Sequence, residues 1–430
     1  MAAAEALGAR TGVVVCESDG HVVYRSRATE TFAPASNMKV LTAAAVLQGL
    51  GADFVFVTTF ALRGGRLVVT ASGDPNWEHE TAHDPGAVFA AVANALRQRG
   101  VRTLAGLDLE AGDFTGPLRP ATWPQDQLQT YYCAPTGPFV LDQGTFVLRL
   151  HGGSGNQASV ELVSPRAGFA VRNNVDLVDG KKGIAYGAID QGDAITVRGK
   201  FPRKGSPVTI RTAVGDPANW YRSALQRALA DAGIRLDAPT TVADQVVYEH
   251  RTELRSALLR MLEDSSNFDA EQCLRVLGHQ ALHDGSLAGG MQALTTQLRA
   301  LVGSVPVEAL FADGSGLSKQ NRLTPGLLVA TMVRLQGSNA ALLRACLPVA
   351  GKSGTLEGRF LGTDLVGRVR AKTGWIRGAS SLSGCVERKD GSVRWFSILM
   401  NYDPKADGLN RDLKRLQEDI VRAVDRGESK

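Results

Sequence analysis

Long apolar runs are missing from this chain of 430 residues. No stretch approaches the roughly 18 apolar residues that a bilayer-spanning helix needs, so no such helix is expected. Met1 to Arg10 holds no apolar segment of signal-peptide length. An export leader already removed and retention inside the cell both fit that start. Runs of one charge are missing too. The 48 Lys and Arg outnumber the 43 Asp and Glu, giving a formal charge of +5 and a pI near 9.0. They are scattered, which excludes a nucleic-acid-binding arm. A mildly basic surface suits an anionic polymer. The five cysteines, Cys16, Cys133, Cys273, Cys346 and Cys385, form no C-x-x-C pair. That removes zinc and redox spacings and leaves buried small apolar side chains. Internal repeats and low-complexity tracts are absent.

What is present changes character along the chain. Val13 to Cys16 and His21 to Tyr24 read as strands around the turn pair Asp19-Gly20. From Ser36 the apolar spacing through Met38, Leu41, Ala45, Val46 and Leu50 predicts a helix closed by Gly51. Beyond Gly64-Gly65 come short strands, many glycines and a helical stretch from Val88 to Arg99. His151 to Arg211 is Gly-rich with short β patterns, such as Ala194 to Val197 and Val208 to Arg211. Asp216-Pro217 opens a helix that Gly233 closes. Helical patterns return at Leu254 to Leu262 and Ala270 to Leu282. Apolar strands follow at Leu382 to Val386 and Trp395 to Met400. A last amphipathic helix carries Leu409, Leu413, Leu416, Ile420 and Val424. The two ends share an α/β character and the middle reads as inserted. The expected division is 1–64 with 246–430, an inserted α/β part at 65–150 with 212–245, and a β-rich part at 151–211.

Three short motifs carry chemistry. Ser36-Asn37-Met38-Lys39 is an S-x-x-K at a helix start, where a spacing of three brings both side chains to one face. A serine hydroxyl needs a base, and a lysine held neutral can serve. The helix start also offers N–H groups to developing negative charge. Standing alone, the pattern equally describes a capping serine and a surface lysine. Ser265-Ser266-Asn267 is an S-x-N beside a second helix start. Its serine could relay protons and its asparagine could hold Lys39 or a substrate carbonyl; Asp264 or Ser265 could equally be a helix cap. Lys372-Thr373-Gly374 is a K-T-G next to apolar strands. On a strand, Lys372 and Gly374 share a side, and the glycine admits a close substrate backbone. A β-turn with a solvated lysine is the bland alternative.

In this order the three motifs form the fingerprint of serine penicillin-recognising enzymes. The neighbouring text adds Gly73-Asp74-Pro75, Ala134-Pro135, Asp313-Gly314-Ser315-Gly316-Leu317-Ser318, and Gly354-Thr355-Leu356 with Arg359. Over nearly its whole length the chain resembles the class C low-molecular-mass penicillin-binding proteins, the D-Ala-D-Ala carboxypeptidases and endopeptidases with a large insertion. The resemblance implies an α/β, transpeptidase-like (serine β-lactamase-like) domain interrupted by a two-part insertion. Ser36 would attack the penultimate D-Ala carbonyl and Lys39 would accept its proton. Ser265 and Asn267 would shuttle the proton and hold substrate, and Lys372 with Thr373 would bind the terminal carboxylate. The Ser36 and Trp375 N–H groups would form the oxyanion hole, with Gly374 between them and the substrate backbone. Asp126 would meet the free amine of the peptide stem. No metal or organic cofactor is implied. The implied partners are peptidoglycan stem peptides, β-lactams as inhibitors and a second copy of the chain, in a periplasmic or extracellular setting. Two departures bear on substrate shape. Lys319 follows Gly-Leu-Ser where the family usually has Arg, and bulky Trp375, with Arg377 two residues on, follows K-T-G.

Competing readings are a β-lactamase, which shares the motifs, and a wall-binding protein that has lost catalysis. The D-G-S-G text and the extra domains argue against the first; an intact nucleophile, base and carboxylate clamp argue against the second. His79-Glu80-Thr81-Ala82-His83 also matches the H-E-x-x-H of zinc peptidases, and His279 and His283 repeat its spacing. Gly73-Asp74-Pro75 before it and Asp84-Pro85-Gly86 after it leave little room for a zinc-binding helix. The expectation there is an exposed loop or short helix at the edge of the insertion.

Overall fold

The computed structural model describes residues 2–165, 168–180, 185–192, 194–406 and 408–427. The chain forms two compact units. The first comprises Met1–Phe54, Pro120–Trp123 and Leu254–Lys430; the second comprises Val55–Arg119 and Pro124–Glu253.

The first unit is built on a five-stranded antiparallel sheet. Its order is Val369–Ile376, Ala379–Glu387, Val393–Asn401, Arg10–Glu17, Val22–Ser26. The chain's two ends meet in its middle, where Val13 pairs with Ile398 and Val15 with Phe396. Alternation along these strands sends Val13, Val15, Leu382, Phe396, Ile398 and Met400 to one face. There they pack on Leu413, Val421 and Val424 of the Leu409–Arg426 helix, with Leu409, Leu416 and Ile420 half-buried beside them. The expected strands and terminal helix are thus present, each a residue or more longer than its apolar pattern.

The Met38–Leu50 helix is different in kind. Every residue from Met38 to Leu47 is buried, including Lys39 and Thr42. It packs among the helices Leu254–Leu262, Asn267–Leu282, Leu287–Val302, Pro325–Arg334 and Gly337–Cys346. Its alanine-rich sequence has no polar face because it meets protein all round.

In the second unit a four-stranded sheet runs Gln245–Glu253, Val55–Arg63, Arg66–Thr70, Leu107–Glu110. The helices Pro85–Gln98 and Pro217–Asp231 cover it, burying Phe60, Leu67, Phe89, Leu96, Leu225 and Leu229. Asp84 and Asp216 cap these helices ahead of a proline in the first turn. Because Val55–Arg63 pairs with Gln245–Glu253, the strand hydrogen bonds put 55–63 and 246–253 in this unit. Two three-stranded sheets make the β-rich part: Val208–Ala213, Thr145–His151, Ser159–Ser164; and Ala170–Val178, Ala194–Pro202, Ala185–Asp190. Phe146, Leu148, Val175, Ile195 and Phe201 fill the space between them, closed by Trp220.

Candidate active site

The S-x-x-K motif begins one turn outside the α-helix. Ala35–Asn37 is a 3-10 turn that feeds into the helix at Met38, so Ser36 lies in the turn and Lys39 in the first α-helical turn. This corrects the helix start expected at Ser36. Ala35, at the head of that turn, has φ of 47°. The spacing of three still places both side chains together. Lys39 Nζ lies 3.1 Å from Ser36 Oγ.

The other two motifs converge on that pair. Asn267 opens the Asn267–Leu282 helix and its Oδ1 accepts from Lys39 Nζ at 2.7 Å. The carbonyl of Ser315 accepts from the same nitrogen at 2.6 Å. Lys39 is therefore buried yet fully engaged. Burial lowers its pKa to about 8, while Asp313 and Glu271 pull in the opposite direction. Ser265 is half-buried with φ of 63°, and Ser266, not Asp264 or Ser265, caps the helix by accepting from Asp269 N. With Ser266 as the cap, the Ser265 hydroxyl is not used in capping the helix.

K-T-G sits on the edge strand Val369–Ile376. Asn37 Nδ2 donates to the Lys372 carbonyl at 2.9 Å, tying this strand to the nucleophile turn. Lys372 is buried, and burial together with Lys39 holds its pKa well below the usual lysine value. Its Nζ donates to the Thr373 carbonyl, and Thr373 Oγ1 bonds Thr355 Oγ1 at 2.8 Å. Gly374 is needed for contact. A Cβ there would fall 2.2 Å from Ser381 Oγ, 2.9 Å from Pro34 O and 3.0 Å from Ser36 N. Trp375 is 57% exposed with its Nε1 on Tyr402 Oη, and Arg377 is exposed in the following turn. Asp126 is exposed on the short turn Gln125–Gln127, in the second unit.

Several contributors went unassigned in the sequence. Asp313 is buried and accepts from the N–H groups of Gly316 and Ser318, from Asn321 Nδ2 and from Trp123 Nε1. Trp123 arrives from the middle of the insertion, yet Pro120–Trp123 belongs to the first unit. The D-G-S-G text marked this loop, but nothing in the sequence links it to Lys39 or to a tryptophan 190 residues away.

H-E-x-x-H lies in turns outside any helix, and Glu80 has φ of 59°. His79 Nδ1 is 3.0 Å from buried Asp142, which raises the His79 pKa. Asp84-Pro85 is the start of the next helix. His279 is in the last turn of the Asn267–Leu282 helix and His283 is its left-handed cap, so neither joins the first pair on one helix. Among the described residues, no group of three or more His, Cys, Asp or Glu is arranged to hold a metal ion.

Comparison with known proteins gives a consistent result. A family model described as the D-Ala-D-Ala carboxypeptidase 3 (S13) family matches residues 1–419. The chain is 33% identical to a D-alanyl-D-alanine carboxypeptidase of Actinomadura sp. (strain R39), over 92% of this chain and 78% of that one. It is 27% identical to carboxypeptidase DacB of Mycolicibacterium smegmatis, over 92% and 77%. Among solved structures it is similar to penicillin binding protein 4 (dacB) of Haemophilus influenzae, with TM-score 0.80, 22% identity and 96% of each chain covered.

Proposed function

This chain belongs to the D-Ala-D-Ala carboxypeptidase 3 (S13) family, and from that premise we propose how its site works. It is a serine-type D-Ala-D-Ala carboxypeptidase and endopeptidase of peptidoglycan stem peptides that acts through an acyl-enzyme and is acylated by β-lactams. One observation carries the mechanism: a buried lysine amine, with its pKa lowered to about 8, lies 3.1 Å from the Ser36 hydroxyl.

The substrate's terminal carboxylate enters beside Lys372 and Thr373 and adds negative charge next to the buried Lys372 amine, favouring its protonated form. Its backbone passes over Gly374, and the D-Ala carbonyl oxygen points at the N–H groups of Ser36 and Trp375. Neutral Lys39 takes the Ser36 proton as Oγ forms a bond to the carbonyl carbon. Asn267 and the Ser315 carbonyl accept the N–H groups of the resulting ammonium. The proton passes by way of Ser265 to the leaving amine as the peptide bond breaks, releasing the terminal residue. A water then attacks the ester as Lys39 takes its proton, and Lys39 returns that proton to Ser36 Oγ as the acyl C–O bond breaks, releasing the shortened peptide and restoring neutral Lys39 and the Ser36 hydroxyl. Asp126 receives the free amine of the stem, and Trp375 with Arg377 shapes the cleft rim. No step calls for a metal or organic cofactor.

Intact-mass spectrometry after incubation with benzylpenicillin tests this. A single stable adduct mapping to Ser36 is expected. Rapid loss of the adduct would make the enzyme a β-lactamase, and an adduct on another serine would overturn the assignment. The proposal extends to a periplasmic or extracellular setting and to a second copy of the chain as partner, checked by fractionation and light scattering. No described helix is long and apolar enough to cross a membrane.

A further inference from the structure

One helix controls Lys39 by two routes. Asn267, at its start, accepts from Lys39 Nζ directly. One turn later Glu271 lies on the same side of the helix. Glu271 is buried, and its Oε1 accepts from the backbone N–H groups of Gly314 at 2.9 Å and Ser315 at 2.8 Å. Ser315 in turn presents its carbonyl to Lys39 Nζ at 2.6 Å. So a side chain that never touches the lysine holds the residue that does.

The same loop also braces the nucleophile. Gly316 has φ of 81°, and a Cβ there would fall 1.8 Å from the Ala35 carbonyl oxygen. Thr42, on the helix of Lys39, donates to the Gly314 carbonyl at 2.6 Å. The loop is therefore wedged between the Ser36 turn, the Lys39 helix and Glu271. Two backbone N–H groups facing inward with no acceptor would each carry a full desolvation penalty, so Glu271 sets where the loop rests.

We propose that Glu271 is a positioning residue for catalysis: it fixes the Gly314-Ser315 backbone so that the Ser315 carbonyl orients the Lys39 amine toward Ser36. This rests on Lys39 being the base. Asp313 and Glu271 favour the charged form of Lys39, and Lys372, itself faced by Asp264, takes a lowered pKa partly from it. Arg275, one turn beyond Glu271 and faced by Asp284, favours the Glu271 carboxylate. Burial and Asp313 push Glu271 up to about 8, and the Gly314 N–H, the Ser315 hydroxyl and the Ser315 N–H oppose that push. Glu271 thus acts through the position of its oxygen as well as its charge.

Three substitutions separate position from charge. Glu271→Gln keeps an acceptor oxygen at the same reach, Glu271→Asp keeps the charge and loses the reach, and Glu271→Ala loses both. The readout is the β-lactam acylation rate per titrated active site, from pH 5.5 to 9.5. Glu271→Gln should stay within about fivefold of the parent, while the Asp and Ala enzymes fall by roughly 10²-fold, as expected for two buried donors left unpaired. In Glu271→Ala the acid limb should also move to lower pH, because the lysine cation loses an ordered acceptor. Should the Ala protein fail to fold, the order of Gln above Asp still decides. The proposal is overturned if Asp matches the parent while Gln fails, or if all three keep the parent rate and limb. A parent enzyme with no acid limb would instead sink the reading of Lys39 as base, which keeps the two failures distinct.

Discussion

Acylation should rise with pH through the ionisation of Lys39. The perturbation is pH itself, between 5.5 and 9.5. An ordinary lysine at 10.5 would be neutral in about one molecule in 3,000 at pH 7. Burial brings Lys39 to about 8, where about one in ten is neutral at pH 7 by the same arithmetic. The folded site thus raises the population of competent base about 300-fold. Below pH 8 the acylation rate should climb tenfold per pH unit and then level off. The assay is the second-order rate of labelling by a fluorescent penicillin, followed by stopped flow on one enzyme preparation. A profile flat from acid to alkaline pH, or one that breaks only near 10, refutes the reasoning, as would a fully active Lys39→Met enzyme. Linkage supplies a second sign. The folded pKa lies below the unfolded 10.5, so the unfolded chain binds this proton more tightly. This group therefore costs stability below about pH 8, and the cost fades as pH rises toward 10.5. Lys39→Met should consequently melt no lower than the parent at pH 7, provided its hydrogen-bond partners repack.

Ser36→Ala should lose at least roughly three orders of magnitude in turnover and all stable penicillin label, measured by kinetics and gel fluorescence. Gly374→Ala should lower acylation roughly 10²-fold, since its methyl would press on Ser381 Oγ and Pro34 O and crowd the Ser36 N–H; a parent-like rate would show that the close approach is dispensable. Lys372→Ala should raise KM most for peptides ending in a free carboxylate and least for amidated ones, compared with a matched pair of substrates. Glu80→Gln and exhaustive chelation should leave peptidase activity and labelling unchanged, and a loss restored by zinc would overturn the serine route.

Much was legible in the sequence because it depended on local spacing. S-x-x-K puts Ser36 and Lys39 on one side whether the start is a 3-10 turn or an α-helix, so the pair survived an error in the helix boundary. Short apolar runs located the strands Ala379–Glu387 and Val393–Asn401, which are buried on both faces, and a period of 3.6 located the Leu409–Arg426 helix, which buries one face. Motif order brought Asn267 and Lys372 into the same account as Ser36. Tertiary structure alone decided the rest. Nothing local makes Lys39 acidic: its shift comes from burial among five other helices. Glu271 takes no role from local spacing; only the fold lays the Gly314-Ser315 backbone across it. Trp123 looked like part of the insertion and instead donates to Asp313 in the first unit. The strand Val55–Arg63 looked continuous with the N-terminal part and pairs with Gln245–Glu253 in the second unit. Hydrogen bonds between residues 40 to 300 positions apart leave no periodic trace, because any acceptor of the right reach would satisfy the donor, and only the packed chain determines which one arrives.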